Sequence, residues 1–97
     1  MFEIELTVRA EEDLRYFRKH EQKIILDTIE KQLIWEPTTT TRNRKELDPN
    51  NLSKWELRIG EYRVFYDVGE DAQIVKIKAV GHKVHNQLFF RGKEFRL

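Results

Sequence analysis

Phe2, Ile4, Leu6 and Val8 alternate with Glu3, Glu5, Thr7 and Arg9, the period of a strand with one face buried. From Ala10 the period lengthens. Leu14 and Phe17 share a helical face, and Glu11, Glu12 and Asp13 suit the positive end of a helix dipole. A break is expected near His20 and Glu21, followed by a second helix. There Ile25, Ile29 and Leu33 form an apolar stripe that Leu26 and Ile34 widen. Pro37 disfavours helix at Glu36 and ends the segment.

The stretch PTTTTRNRKELDPNN is rich in turn formers and poor in apolar residues, so it reads as a loop. Three strands follow. WELRIGEYRV carries Gly60-Glu61 at its centre, and glycine in the first position suits a two-residue hairpin loop. Counting outward pairs Ile59 with Tyr62, Arg58 with Arg63 and Leu57 with Val64. In this register Trp55, Leu57, Ile59, Tyr62, Val64 and Tyr66 share one face, and Glu56, Arg58, Arg63, Phe65 and Asp67 the other. A slip of one residue would split the apolar set. In IVKIKAVG, strict alternation points Val75, Ile77 and Ala79 one way and Ile74, Lys76, Lys78 and Val80 the other, with Gly81 ending the strand. HKVHNQLFFRGKEF is then expected to be a short helix or an irregular tail, with Val84 and Leu88 on one side. Trp35 and Trp55 fit the apolar faces and are assigned to the core.

The order strand, helix, helix, three strands predicts an α+β fold, β-α-α-β-β-β. It comprises a twisted, antiparallel-rich sheet, a two-helix hairpin packed on one face and a short C-terminal helix or tail. Ninety-seven residues make a single domain spanning residues 1–97, burying roughly two-thirds of the surface of the unfolded chain. The absence of cysteine excludes disulfides, thiolate metal sites and a thiol nucleophile. No apolar run has the length of a membrane span, and the charged, alternating N-terminus is unlike a signal peptide. A cytoplasmic protein without membrane contact is therefore expected.

Net charge is only +1, but it is unevenly spread. Residues 1–36 carry six Lys/Arg against nine Asp/Glu, whereas residues 76–97 carry six basic residues and one acid, Glu94. Chain halves of opposite sign hint at an anion-binding face. The paired arginines sharpen that hint, because like charges directly opposite one another destabilise a sheet. Two explanations stand. Arg58 and Arg63 are solvated and neutralised by Glu56 or Asp67 on their own face, or they converge on an anion such as phosphate, to which each guanidinium donates paired hydrogen bonds. His82, Lys83 and His85 follow the last long strand and could complete such a site, a histidine exchanging a proton near neutral pH and a lysine holding developing negative charge. His82 and His85 lack a third ligand at a telling spacing, so zinc is not expected. Of Phe89 and Phe90, one is expected in the core and the other free to stack on a base.

ELRIGEYRVFYDV followed by IVKIKAVGHKVHNQLFF resembles the RelE/ParE family of small bacterial toxins, the toxin halves of type II toxin–antitoxin pairs. The resemblance lies in the Gly-x-Tyr-Arg-apolar-x-Tyr hairpin. It continues in a strand ending in Val-Gly and a basic segment before an aromatic residue. It implies a concave sheet backed by two helices and wrapped by a flexible antitoxin. In the RelE-like branch it implies metal-free cleavage of messenger RNA on the ribosome, the ribose 2′-hydroxyl attacking the adjacent phosphate. Neither metal nor organic cofactor is implied, and operator DNA would be met only through the antitoxin complex.

Carried over by position, Arg63 matches the strand arginine that contacts the phosphate, Arg58 a basic residue on the preceding strand, and Lys83 an active-site arginine. His85 falls at a basic or histidine position and is the leading proton-transfer group, with His82 or Glu56 in reserve. Phe89 stands where a tyrosine is frequent; it cannot exchange a proton but can stack on a base. Phe89, His82, Glu56 and Arg91 are the further candidates for RNA contact. Lysine at 83 keeps the charge of an arginine and loses its bidentate fork. The main expectation is an endoribonuclease toxin. The alternatives are a ParE-like inhibitor of DNA gyrase without catalytic activity, or a weakened member acting through antitoxin binding and repression of its own operon.

Overall fold

The computed structural model describes residues 1–97. Strand β1 (Glu3–Leu6) leads into helices α1 (Val8–Tyr16) and α2 (Lys19–Leu33). The sheet continues with β2 (Arg44–Glu46), β3 (Trp55–Ile59), β4 (Tyr62–Gly69), β5 (Ile74–Val84), β6 (Gln87–Phe90) and β7 (Lys93–Phe95). Strand order is β2-β3-β4-β5-β6-β7, all antiparallel, with β1 added parallel to the first half of β5. No helix is long and apolar enough to cross a membrane.

The helices begin and end where local chemistry dictates. Thr7 Oγ1 accepts the Ala10 N–H at 3.1 Å and so caps α1. The break between the helices falls at Phe17 and Arg18, earlier than the expected His20 and Glu21. The Phe17 N–H closes α1 on the Leu14 carbonyl, and the Glu21 carboxylate accepts the Arg18 N–H at the start of α2. Ile25, Ile29 and Leu33 form the buried stripe, whereas Leu26 lies outside it, 38 % exposed. Trp35, assigned to the core from its apolar character, is 66 % exposed just past the end of α2.

The β3–β4 register is the expected one: Leu57 faces Val64, Arg58 faces Arg63 and Ile59 faces Tyr62, around Gly60 at φ +58°. The main core lies between the helices and one sheet face and contains Leu14, Phe17, Ile25, Ile29, Leu33, Trp55, Leu57, Val64 and Tyr66. Strand β5 departs from simple alternation. Phe65 pairs with Ala79 but Tyr66 pairs with Ile77, so Lys78 is an extra residue, a β-bulge. The bulge reverses the phase of everything after it. Val80 therefore joins Val75 and Ile77 in the main core, while Ala79 turns to the helix-free face against Phe65, Leu52, Leu88 and Phe90.

Gly81 does not end the strand. It lies within β5, where an added Cβ would sit 2.5 Å from the Phe89 carbonyl oxygen and 2.9 Å from the Phe90 ring. The tail is neither helix nor coil. His85 and Asn86, at φ +49° and +67°, turn the chain into β6, and Arg91 and Gly92, at +50° and +80°, turn it into β7. Left-handed conformations at both central residues mark tight hairpin turns of the primed type. The tail thus curls Leu88, Phe90 and Phe95 over the helix-free face.

Candidate active site

Arg58 and Arg63 stand opposite each other beside the β3–β4 turn, on the helix-free face. The bulge puts Lys83 on the same face. With residue 78 extra, residues 80, 82 and 84 face the helices and residues 81 and 83 face away. Lys83 therefore shares the arginine face, and its N–H donates to the Glu61 carbonyl at 2.8 Å. Strict alternation would have presented His82 instead. His82 is sent to the other side, where its ring packs against Tyr16, Phe17 and its cross-strand partner Phe89. His82 and Phe89, both candidates for RNA contact, are separated by the sheet from the three cations.

Glu56 explains how two arginines tolerate adjacency. Its carboxylate is buried, 3 % exposed, with Oε1 3.6 Å from Arg58 Nε. Arg63 folds back on the turn: Nη1 donates to the carbonyls of Gly60 at 2.7 Å and Tyr62 at 2.8 Å, and Nε is buried without a hydrogen-bond partner. Burial pulls the Arg63 pKa down and Arg58 adds to that, whereas Glu56 and Glu61 oppose it. Asp67, the other carboxylate expected to neutralise the pair, instead accepts the Lys54 N–H at 2.7 Å. The three cations on this face outnumber the two carboxylates that act on Arg63, Glu56 and Glu61, and a phosphate is an anion that guanidiniums can engage through paired N–H donors.

His85 opens the β5–β6 turn, exposed, at the same end of the sheet as the arginine pair. Histidine is among the few side chains that enter the left-handed region readily. Arg91 is placed elsewhere. Its Nε lies 3.0 Å from Asp13 Oδ1 and its Nη1 3.5 Å from Glu12 Oε1, which ties the β6–β7 turn to α1. Arg58, Arg63, Lys83 and Glu56 thus share one sheet face, with His85 at their end of the sheet, whereas His82, Phe89 and Arg91 lie on the helix side. No three His, Asp or Glu side chains converge to hold a metal.

A family model described as ParE toxin of type II toxin-antitoxin system, parDE, matches residues 4–86. The chain belongs to that toxin family. The match ends where the β5–β6 turn closes, so β6 and β7 lie beyond it. Among solved structures, the toxin–antitoxin complex RelBE2 of Mycobacterium tuberculosis contains a chain 23 % identical. The alignment covers 84 % of this chain and 98 % of that one at a TM-score of 0.73. The archaeal RelE–RelB complex of Pyrococcus horikoshii OT3 gives 19 % identity over 87 % and 97 % of the two chains, with a TM-score of 0.68. The isolated RelE toxin of E. coli gives 16 % identity over 88 % and 87 %, with a TM-score of 0.66. No curated protein sequence matches. At these identities the structures show a shared fold, and the family is that of RelE/ParE toxins.

Asp13 is a residue that sequence reasoning placed wrongly. It is fully buried, and its Oδ2 accepts the Val80 N–H at 2.9 Å. The edge of β5 is covered by β1 over its first residues and by β6 over its last. Between them the Thr7 hydroxyl donates to the Lys78 carbonyl at 3.2 Å, and Asp13 supplies the acceptor for Val80. Arg9 Nε stands 3.7 Å from the same carboxylate, with its guanidinium over the Phe90 ring. Among neighbouring acids on a helix, nothing local distinguishes Asp13.

Proposed function

We propose that the protein is the toxin half of a type II pair and a metal-independent endoribonuclease, cleaving messenger RNA on the ribosome in the cytoplasm. A flexible antitoxin would hold it in check and mediate any contact with operator DNA. The single observation that carries this reading is the placement of Arg58, Arg63 and Lys83 on one helix-free face at the β3–β4 turn end of the sheet.

On that face the cations would hold the scissile phosphodiester. The ribose O2′ attacks phosphorus, the O2′–P bond forms and the P–O5′ bond breaks. The 2′ proton must leave and O5′ must gain one. His85, exposed in the β5–β6 turn, is the group assigned to proton transfer, a role that a positioned imidazole fills more often than any other side chain. Glu56, almost wholly buried, acts by holding the guanidiniums in place. Phe89 cannot stack on a base from the helix side, so base contact on this face has to come from other groups. Arg63→Ala should remove a charge-assisted phosphate contact, and the loss of one such electrostatic donor costs about 10²–10³-fold in rate.

A second reading, inhibition of DNA gyrase without chemistry, is favoured by the ParE description of the family model and by the distance of His82 and Phe89 from the cations. The two separate on induction in cells. Ribonuclease action halts translation, and Arg63→Ala or His85→Ala relieves toxicity while antitoxin binding survives. Gyrase action gives DNA-damage signalling with intact mRNA and indifference to His85.

A further inference from the structure

We propose a second binding site, across the sheet from the cationic face: a cleft at the α1–α2 junction that takes an arginine side chain presented by a partner protein. The cleft, about 300 Å³, is lined by Tyr16, Phe17, Arg18, Glu21, Glu61, Tyr62 and His82. It does not depend on any reaction at Arg58, Arg63 and Lys83.

Its walls are aromatic. Tyr16 and His82 stack with centroids 6.2 Å apart and an interplanar angle of 17°, and Phe89 extends the stack beyond His82. Phe17 meets Tyr16, Tyr62 and His82 edge to face. Tyr16 is half exposed, which leaves part of a π surface open to solvent. A cation held against such surface is attracted by the ring quadrupole, and a flat guanidinium also stacks on it.

The charges agree. Two carboxylates, Glu21 and Glu61, face a single cation, Arg18. Glu21 accepts the Tyr62 hydroxyl at 2.6 Å and the Arg18 N–H at 3.1 Å, which leaves acceptor capacity on both of its oxygens. Glu61 sits in the β3–β4 turn and makes no direct ion pair, although its charge also acts on Arg63. His82 Nδ1 has no partner. A phosphate would meet two carboxylates here, so nucleic acid is disfavoured. The compact, strongly hydrated ammonium of lysine gains less from flat rings than a guanidinium does.

The test uses the intact protein and two blocked tripeptides, Gly-Arg-Gly and Gly-citrulline-Gly, which share shape and differ in charge. The readout is the ring and amide resonances of Tyr16, Tyr62 and His82 by NMR. The arginine peptide should shift them saturably and at least about tenfold more tightly than the citrulline peptide. Tyr16→Ala, which removes the open ring, should weaken it by about two- to thirty-fold, and Glu61→Gln should also weaken it. An arginine peptide that moves these resonances no more than the citrulline peptide overturns the proposal, as does an unchanged response in both variants.

Discussion

Replacing Asp13 probes how the tail is held to the helices. Asp13→Ala deprives the buried Val80 N–H of its acceptor, and stranding a buried donor costs about 1–3 kcal/mol. The ion pairs to Arg9 and Arg91 are also lost. Those arginine side chains are 40 % and 45 % exposed, so solvent screening limits each pair to about 0–1 kcal/mol. The total, about 1–5 kcal/mol, would lower the melting temperature of a domain this size by about 4–40 °C. Asp13→Asn keeps an oxygen for Val80 but loses both screened ion pairs and turns its NH2 toward Arg91, so it should lie within about 2 kcal/mol of the parent and be less damaged than Ala. The two variants also differ in pH dependence. Burial, the largest influence on Asp13, raises its pKa above 3.8, against the pull of the Val80 N–H, Arg9 and Arg91. The stability that its protonated form contributes is thus complete below the ordinary carboxylate value and is lost as pH rises through the raised one. Thermal unfolding of parent and Asp13→Asn between pH 3 and 7 should show the difference moving in favour of Asn as pH rises. An Asn variant as damaged as Ala at every pH would refute the reasoning, because the Val80 bond would then not be the main contribution.

Gly81→Ala should cost about 1–3 kcal/mol, since its methyl group would press on the Phe89 carbonyl and the Phe90 ring; unchanged thermal unfolding would contradict the close approach. Tyr62 should resist ionisation. Its hydrogen bond to Glu21, more than burial, raises the phenol from 10.0 to about 12, so its contribution to stability is intact below pH 10 and is lost as pH rises from there through about 12. Ultraviolet titration of the parent against Tyr62→Phe checks this, and a phenol titrating near 10 at that position would count against the bond. Sulfate should raise the melting temperature of the parent and not of Arg63→Ala, if the paired guanidiniums take an anion; equal stabilisation of both would count against the site.

The hairpin around Gly60-Glu61 was legible because two independent signals agreed: turn chemistry and an alternation that a slip would scramble. The arginine pair followed directly from that register. What decided the composition of the site was not legible. Lys78 sits in a run where either phase buries an aliphatic residue, Ala79 or Val80, so alternation does not reveal the bulge, which exchanges the faces of His82 and Lys83. Gly81 resembled a terminator because its actual constraint, the crossing of Phe89 and Phe90, lies on a strand not yet recognised. The two C-terminal hairpins are hard to recognise in the sequence because His85-Asn86 and Arg91-Gly92 are weaker turn signals than Asn-Gly. Asp13 was hidden by distance, its partner being 67 residues away.

The central claim is that Arg58, Arg63 and Lys83 hold a phosphodiester while its own 2′-hydroxyl cleaves it. The most direct measurement is the end chemistry of RNA fragments produced on translating ribosomes by the purified toxin, with a chelating agent added once cleavage can begin. The account predicts fragments with 5′-hydroxyl and 2′,3′-cyclic phosphate or 3′-phosphate ends, undiminished by chelation and lost with Arg63→Ala. Intact RNA, or fragments bearing 5′-phosphates, would contradict it.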